Sequence, residues 1–448
     1  MDSPALRAPL RRPLFRRLAA SYALNEIGDW MGIVALAVLV FDRTDSALAT
    51  AGLFLGTRFL PALIAPALVA RAERAPPRYA LPAIYCAEAA AFGVLALLAE
   101  HFSLAAVIAV ATIDGALALS GRALTRAVVA ALLKPSGELR SGNAILNVAF
   151  TAGAAIGPAI AGLLVGGFGV QTALLLDALS FYLIAWILLT AGRMPGAEPE
   201  PGRVRDRVRE GIRYIGTRPA LRRLLSAQGI AFIFFAAVIP VEVIYAKETL
   251  GAGDFGYGLL LASWGCGMVA GGLIFAALRG TSLAYLLFAS TVAVGAGYLG
   301  IAAAPALALA CAASVLGGTG NGVQWVAMVS TVQEMTAQRM QARVMSVLES
   351  IGAAMPGVGF AIGGLIATGY GPRTTFLVAG IGVVAVAVIA AAVLGGGWAR
   401  DTENRPGDLD AGDEVMVELR PKGSARQAEA AAQTGTRGTV QTEESESN

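Results

Sequence analysis

Charge is scarce in this chain. Of its 448 residues, 15% are charged and 56% are hydrophobic, where a soluble globular domain carries about 25% charged residues. That balance excludes a soluble enzyme, a disordered chain and a nucleic-acid binder. Histidine occurs once, at His101, and cysteine three times, at Cys86, Cys266 and Cys311. The cysteines fall in separate apolar runs, so they form neither a disulfide framework nor a metal-ligand spacing and are expected to pack as small apolar residues. No paired-histidine metal motif, CxxC pair, phosphate-binding glycine loop or dinucleotide fingerprint is present. The expectation is a protein with no metal, no cofactor and no enzymatic activity. Lysine is also rare, at Lys134, Lys247 and Lys422, so arginine carries nearly all of the positive charge. This bias points to a GC-rich, bacterial genome.

Long apolar runs are abundant. A membrane-crossing helix needs about twenty mainly apolar residues. Runs of that kind cover roughly 20–41, 47–70, 79–99, 103–124, 141–166, 170–192, 224–246, 255–278, 281–303, 305–333, 343–368 and 373–397. Five arginines (Arg7, Arg11, Arg12, Arg16, Arg17) precede the first run with no small-residue cleavage site, unlike a secretory leader. The reading is an all-α polytopic membrane protein of twelve transmembrane helices in two six-helix halves. Its parts are an N-terminal segment 1–19, a bundle 20–192, a linker 193–223, a second bundle 224–397 and a polar tail 398–448 expected to be disordered.

Alternate loops differ sharply in basic residues. One set holds Arg7 to Arg17, Arg71, Arg74, Arg78, Lys134, Arg140, the arginines from Arg193 to Arg223, Arg279, Arg339 and Arg343; the other holds Arg43, Lys247 and Arg373. Basic loops stay on the cytoplasmic side. Both termini and the linker are therefore expected in the cytoplasm, with the chain in the plasma membrane. Within the linker, Val204, Val208, Ile212 and Ile215 share one helical face among arginines, the pattern of an amphipathic helix on the inner leaflet.

The two halves repeat. Gly157-Pro158-Ala159-Ile160-Ala161-Gly162-Leu163 precedes Gly359-Phe360-Ala361-Ile362-Gly363-Gly364-Leu365 by a constant offset, and the register continues through Gly167 and Gly369, Gly169 and Gly371, and Thr172 and Thr374.

Several motifs carry a family resemblance. They are Asn25-Glu26-Ile27-Gly28-Asp29-Trp30 with Arg58-Phe59-Leu60-Pro61; the stretch from Leu139 to Gly162 with Gly153, Gly157, Pro158 and Gly162; Ala178-Leu179-Ser180-Phe181 with Arg209-Glu210-Gly211-Ile212-Arg213-Tyr214; and Gly317 to Gly322 with Val332-Gln333 and Arg343-Val344-Met345. On these the chain resembles the major facilitator superfamily, in particular the branch of enterobactin-type siderophore exporters, macrolide efflux proteins and a lysophospholipid transporter. The resemblance implies the major facilitator fold and alternating access. It also implies that the Gly153–Gly162 element acts as the helix-packing pivot of proton-coupled antiporters. One element departs from the superfamily. In the loop after the second run, Ala67 replaces the usual glycine and Arg71 the aspartate that latches the cytoplasmic side, with Glu73 as a substitute.

Ionisable residues inside a membrane cost about 2.5–3.5 kcal/mol on insertion scales, so they tend to be paired or to face a cavity. Asp29 and Arg58 lie near mid-depth in the first two runs, where they can meet; Glu26 and Asn25 share the Asp29 face. Asp29 reads either as a proton-coupling carboxylate or as a static ion-pair partner of Arg58. Glu26 and Asp114 are candidates for coupling or substrate contact, Asp177 for polar packing beside Ser180, and Arg122 and Arg126 for a cytoplasmic gate. In the second half, Gln324, Trp325 and Glu242 are cavity candidates, while Trp264, Phe232, Phe234 and Phe235 either line a site for flat substrates or pack. The expected function is proton-coupled export of a small amphipathic molecule such as a drug, siderophore or secondary metabolite. Its partners are the substrate, protons and membrane lipids, with the chain a monomer. A lysophospholipid flippase and a non-transporting sensor on the same fold are the alternatives.

Overall fold

A computed structural model describes residues 8–72, 75–196, 204–278 and 280–401. Among the described residues every regular element is helical. Helix α1 is Pro13–Thr44 and follows a short 3-10 turn, Ala8–Arg11. Helix α2 covers 47–72 as Ala47–Phe54, a π turn Leu55–Phe59 and Leu60–Ala72. Helices α3 (Pro77–Glu100) and α4 (Leu104–Leu133) follow. A continuous run, Leu139–Leu189, bends at Gly169 into α5 (139–168) and α6 (170–189). The linker contributes α7, Val204–Gly216. Helix α8 covers 219–249, broken after Ala237 by a 3-10 turn and ended by a π turn, Tyr245–Thr249. The remainder is α9 (Gly253–Ala277), α10 (Leu283–Ala303), α11 (Leu307–Glu334), α12 (Gln341–Tyr370) and α13 (Pro372–Asp401).

Among the described residues ten helices are long and apolar enough to cross a membrane, counting Leu139–Leu189 once. The bend at Gly169 divides that run, and the polar, glycine-rich α11 falls outside the ten, so the order fits twelve crossings. Helix ends lie where local chemistry stops them. Asp45 adopts a left-handed φ of 48° after α1, and the Ser46 and Ser103 hydroxyls accept from Ala49 N and Ala106 N to start α2 and α4. Prolines open α1, α3, α8 and α13.

Several helices outrun their apolar cores. Helix α1 begins at Pro13 rather than near 20, and α8 at Pro219 rather than 224, because arginine sustains a helix well. Helix α13 reaches Asp401, past the expected end at 397. Residues to Gly397 form one compact unit. From 402 onward the expected disordered tail lies outside the described residues, as does Glu73.

In the first half α1 is enclosed by α3, α4, α5 and α6, with Val34 to Val40 at most 3% exposed. Phe92 of α3 stacks on Phe181 of α6 at 5.4 Å. In the second half Trp264 of α9 stacks on Tyr298 of α10 at 5.2 Å, and Phe376 of α13 closes on Tyr245 at 4.9 Å. Large apolar side chains such as Phe168, Leu179, Trp186 and Ile389 face outward, as lipid requires and water disfavours. Cys86 and Cys266 are also on the outer surface rather than packed inside as expected, since a lipid-facing helix surface accepts a small apolar thiol without burial. Cys311 alone packs against the aromatic cluster.

The two glycine rows make equivalent contacts at the same offset. A methyl at Gly157 would stand 2.6 Å from Trp30 Cβ of α1; one at Gly359 would stand 2.8 Å from Ala236 Cβ of α8. At Gly162 it would be 3.0 Å from Gly258 Cα of α9, and at Gly364 2.8 Å from Ala51 Cβ of α2. Gly169 has φ 84°, ψ 163°, and Gly371 has φ 82°, ψ 168°. Only glycine visits that region readily, so the same residue makes the same bend twice.

Candidate functional site

The α1 sequence places Tyr22, Glu26 and Asp29 on one helical face. Helix α4 runs antiparallel along it and answers with two arginines one turn apart. Arg126 Nη2 donates to the Tyr22 hydroxyl at 3.1 Å. One turn further on, Arg122 Nη2 donates to Asp29 Oδ2, and its Nε lies 3.5 Å from Glu26 Oε1. Asn25 Nδ2 donates to the same Asp29 oxygen at 3.1 Å. Glu26 is buried at 1% exposure, Asp29 at 9%, and Arg122 keeps 20%. Such charge-assisted bonds are among the strong ones.

The ion-pair partner of Asp29 is therefore Arg122, not Arg58 as depth alone had allowed. Arg58 sits on the π turn of α2, which carries its guanidinium over the Trp30 ring at 5.7 Å. Both arginines nevertheless face one cavity, which Asp29, Thr57, Phe92 and Asp114 also line. Its volume is about 60 Å³, room for a few waters. One oxygen of Asp114 has no hydrogen-bond partner among the described residues. The structure thus brings together Glu26, Asp29, Arg58, Asp114 and Arg122, with Arg126 one turn away.

The element Gly153, Gly157, Pro158 and Gly162 lies on α5 behind this site. A methyl at Gly153 would stand 2.8 Å from Glu26 Cβ, so the glycine row holds α1 in place at the carboxylates as well as seating α9. Ser180 Oγ donates to Asp177 Oδ1 at 3.2 Å, the neighbour expected for it.

The second-half candidates do not line this cavity. Gln324 is buried and donates to Thr291 Oγ1 at 2.9 Å. Trp325 is 45% exposed. Glu242 lies half-buried beyond the break in α8. Trp264 is a packing residue, stacked on Tyr298 with its Nε1 donating to Asn321 at 3.4 Å.

Sequence reasoning missed Lys247. Its ammonium bridges Asp42 at the end of α1 (2.5 Å) and Asp254 at the start of α9 (2.6 Å), tying the two halves together at the end opposite the basic loops. The signal was present: Lys247 is one of three basic residues in those loops. At the basic-loop end, Arg343 of α12 pairs with Glu210 of α7 at 3.1 Å, and Ala337 N donates to the Tyr214 hydroxyl. This fixes the linker helix against the second half.

Known proteins place this architecture. A family model described as a transmembrane secretion effector matches residues 5–405. The chain belongs to this family of major facilitator transporters. An uncharacterised MFS-type transporter, y4rN of Sinorhizobium fredii, is 30% identical over 260 residues, covering 57% of this chain and 64% of that relative. Less than two thirds of the relative's length is therefore spanned. A mutant of the nucleoside transporter NupG superposes with TM-score 0.68 at 14% identity, over 85% of this chain and 99% of that one. A bacterial homologue of the human lysosomal transporter Spinster, inward-facing and unoccupied, gives 0.62 at 15% identity, over 88% and 96%. A POT family transporter gives 0.68 at 14% identity, over 85% and 96%. At these identities the likeness is one of fold. As a member of this family, with its long apolar helices, the chain is a multi-pass membrane protein.

Proposed function

We propose that the protein exports a small amphipathic molecule, such as a drug, siderophore or secondary metabolite, by proton-coupled alternating access. The single observation that carries the coupling is Asp29 held by Arg122 at the wall of a cavity large enough for water. A proton arriving on Asp29 cancels the charge that holds Arg122. The guanidinium is then left to Glu26 and the cavity, so protonation and the α1–α4 contact are linked. Coupling therefore rests on carboxylates, led by Asp29 with Glu26 and Asp114, and Arg122 and Arg126 act as the gate on the basic-loop side.

Export and the efflux branch rest on the antiporter-like glycine element and on the family description. The strong asymmetry of basic loops supports a bacterial plasma-membrane protein with both termini inside. Two bundles, 20–192 and 224–397, joined by the 193–223 linker, are supported by the equivalent glycine contacts at a constant offset. The protein works as a monomer in this reading.

The test is expression in an efflux-deficient bacterial host, with compound resistance and dye accumulation measured for wild type and Asp29→Asn, with and without a protonophore. The expected result is extrusion that collapses on either treatment. Extrusion that survives the protonophore refutes proton coupling, and normal extrusion by Asp29→Asn removes that residue from the mechanism.

A further inference from the structure

Two carboxyl groups lie behind the cavity, outside the site above. Glu88 of α3 and Asp177 of α6 are both 0% exposed. Neither oxygen of Glu88 has a hydrogen-bond partner among the described residues, and Asp177 Oδ2 has none either. Each is set against a gap in a cavity helix. The Asp177 carboxyl fills the notch left by Gly28 and Gly32 of α1, where a methyl at Gly32 would stand 2.8 Å from Oδ2. Glu88 Oε1 lies 3.6 Å from the place a methyl would take at Gly121 of α4. Gly28 and Gly121 immediately precede Asp29 and Arg122, so each gap lies one residue along the helix from a member of the cavity ion pair.

The charged groups that reach Glu88 are Asp29 from α1, Asp114 and Arg122 from α4, and Asp177 from α6. Those that reach Asp177 are Asp29, Asp114 from α4 and Glu88 from α3. All but Arg122 are acids. Among the described residues no cation lies within ion-pair distance of either carboxyl, because Arg122 is committed to Asp29 and Glu26. An ionised carboxylate buried without donors is strongly disfavoured, and its neutral form is not. Ca²⁺ or Mg²⁺ takes six or more oxygen ligands or retained waters, which two carboxyls and the Ser180 hydroxyl do not supply, and among the described residues no group of three metal-ligating side chains is present. The ligand that matches this chemistry is the proton.

We infer that Glu88 and Asp177 form a second proton-binding site, separate from the cavity carboxylates and exchanging protons with Asp29 past the Gly28 and Gly121 gaps. The inference rests on the proton-coupled reading of Asp29. It adds a buried store behind the ion pair, so that a transport cycle moves more than the one proton of Asp29.

The test is infrared difference spectroscopy on the purified full chain in lipid nanodiscs, with H/D exchange and pH titration and no substrate. Wild type is expected to show protonated-carboxyl absorption at neutral pH. Glu88→Gln and Asp177→Asn are each expected to remove one carboxyl's share, whereas Asp29→Asn keeps that absorption and changes the pH at which it titrates. An absorption unchanged in both Glu88→Gln and Asp177→Asn overturns the site. A titration insensitive to Asp29→Asn overturns the exchange. Because glutamine is the neutral isostere, Glu88→Gln should fold as wild type, and failure to fold also counts against a neutral Glu88. Failure of the dye-extrusion test leaves the infrared result standing, and the reverse holds, so the two readings fall separately.

Discussion

Replacing Arg122 separates it from Arg58 as the partner of Asp29. In Arg122→Gln, Asp29 loses a direct bond and Glu26 loses its nearest cation, at 3.5 Å. Removing one partner of a buried ion pair costs about 3–5 kcal/mol, because the other charge remains buried and uncompensated. The 20% exposure of Arg122 toward the cavity places the expected loss near the lower end, about 3 kcal/mol. Arg58→Gln removes a contact with the Trp30 ring, worth about 0.5–1 kcal/mol, and the attraction of Arg58 to Asp29, Glu26 and Asp114 across the cavity, but no direct ion pair, so its loss should stay below that of Arg122→Gln. The double variant Asp29→Asn with Arg122→Gln replaces charge by neutral groups on both sides. It should recover much of the single-variant loss, with a coupling energy of about 1–3 kcal/mol. Denaturant unfolding in detergent micelles, followed by tryptophan fluorescence, measures all four proteins of the cycle. If Arg58→Gln destabilises more than Arg122→Gln, or if the double variant is simply additive, the assignment of the pair is wrong.

Two further predictions address the frame around the site. Gly169→Ala and Gly371→Ala should each cost about 1–3 kcal/mol of backbone strain. The two costs should match, because both positions share one conformation and neither added methyl meets an atom within 4 Å; unequal losses in thermal unfolding would contradict this. Lys247→Met breaks two bridges at the end opposite the basic loops, worth about 0.2–1 kcal/mol each at partial exposure. It should raise hydrogen–deuterium exchange at 245–254 several-fold, and unchanged exchange would show that Lys247 does not hold the halves together.

The fold was largely legible because each crossing is an apolar run of the required length, and the bends carry glycine or proline. Helix α11 shows the limit. Its Gly317, Gly318, Gly320 and Gly322 lower its apolar character, yet they are what let it approach α9 and α10, a pairing no composition window registers. The site was half legible. Depth along a helix gave Asp29 and Arg58 a similar height, helical spacing put Glu26 on the Asp29 face, and Arg122 and Arg126 lie one turn apart. Depth does not say which neighbouring helix lies against that face, and a π turn moved Arg58 over Trp30. Glu88 and Asp177 draw their interest from gaps in other helices, and Lys247 from residues far away in sequence. Neither relation is local, so neither could be read from spacing.

The glycine seams also separate two kinds of inheritance. Where α5 meets α1 and α9, and α12 meets α8 and α2, the closest approaches run largely along main chain and small side chains. Main chain is the same whatever side chains neighbour it, so these joints make no demand on the residues that line the cavity. The cavity lining can therefore be rewritten while the frame around it stays as it is. A fold that superposes at TM-score 0.68 with 14% identity fits such a frame, whose joints are indifferent to most of the sequence around them.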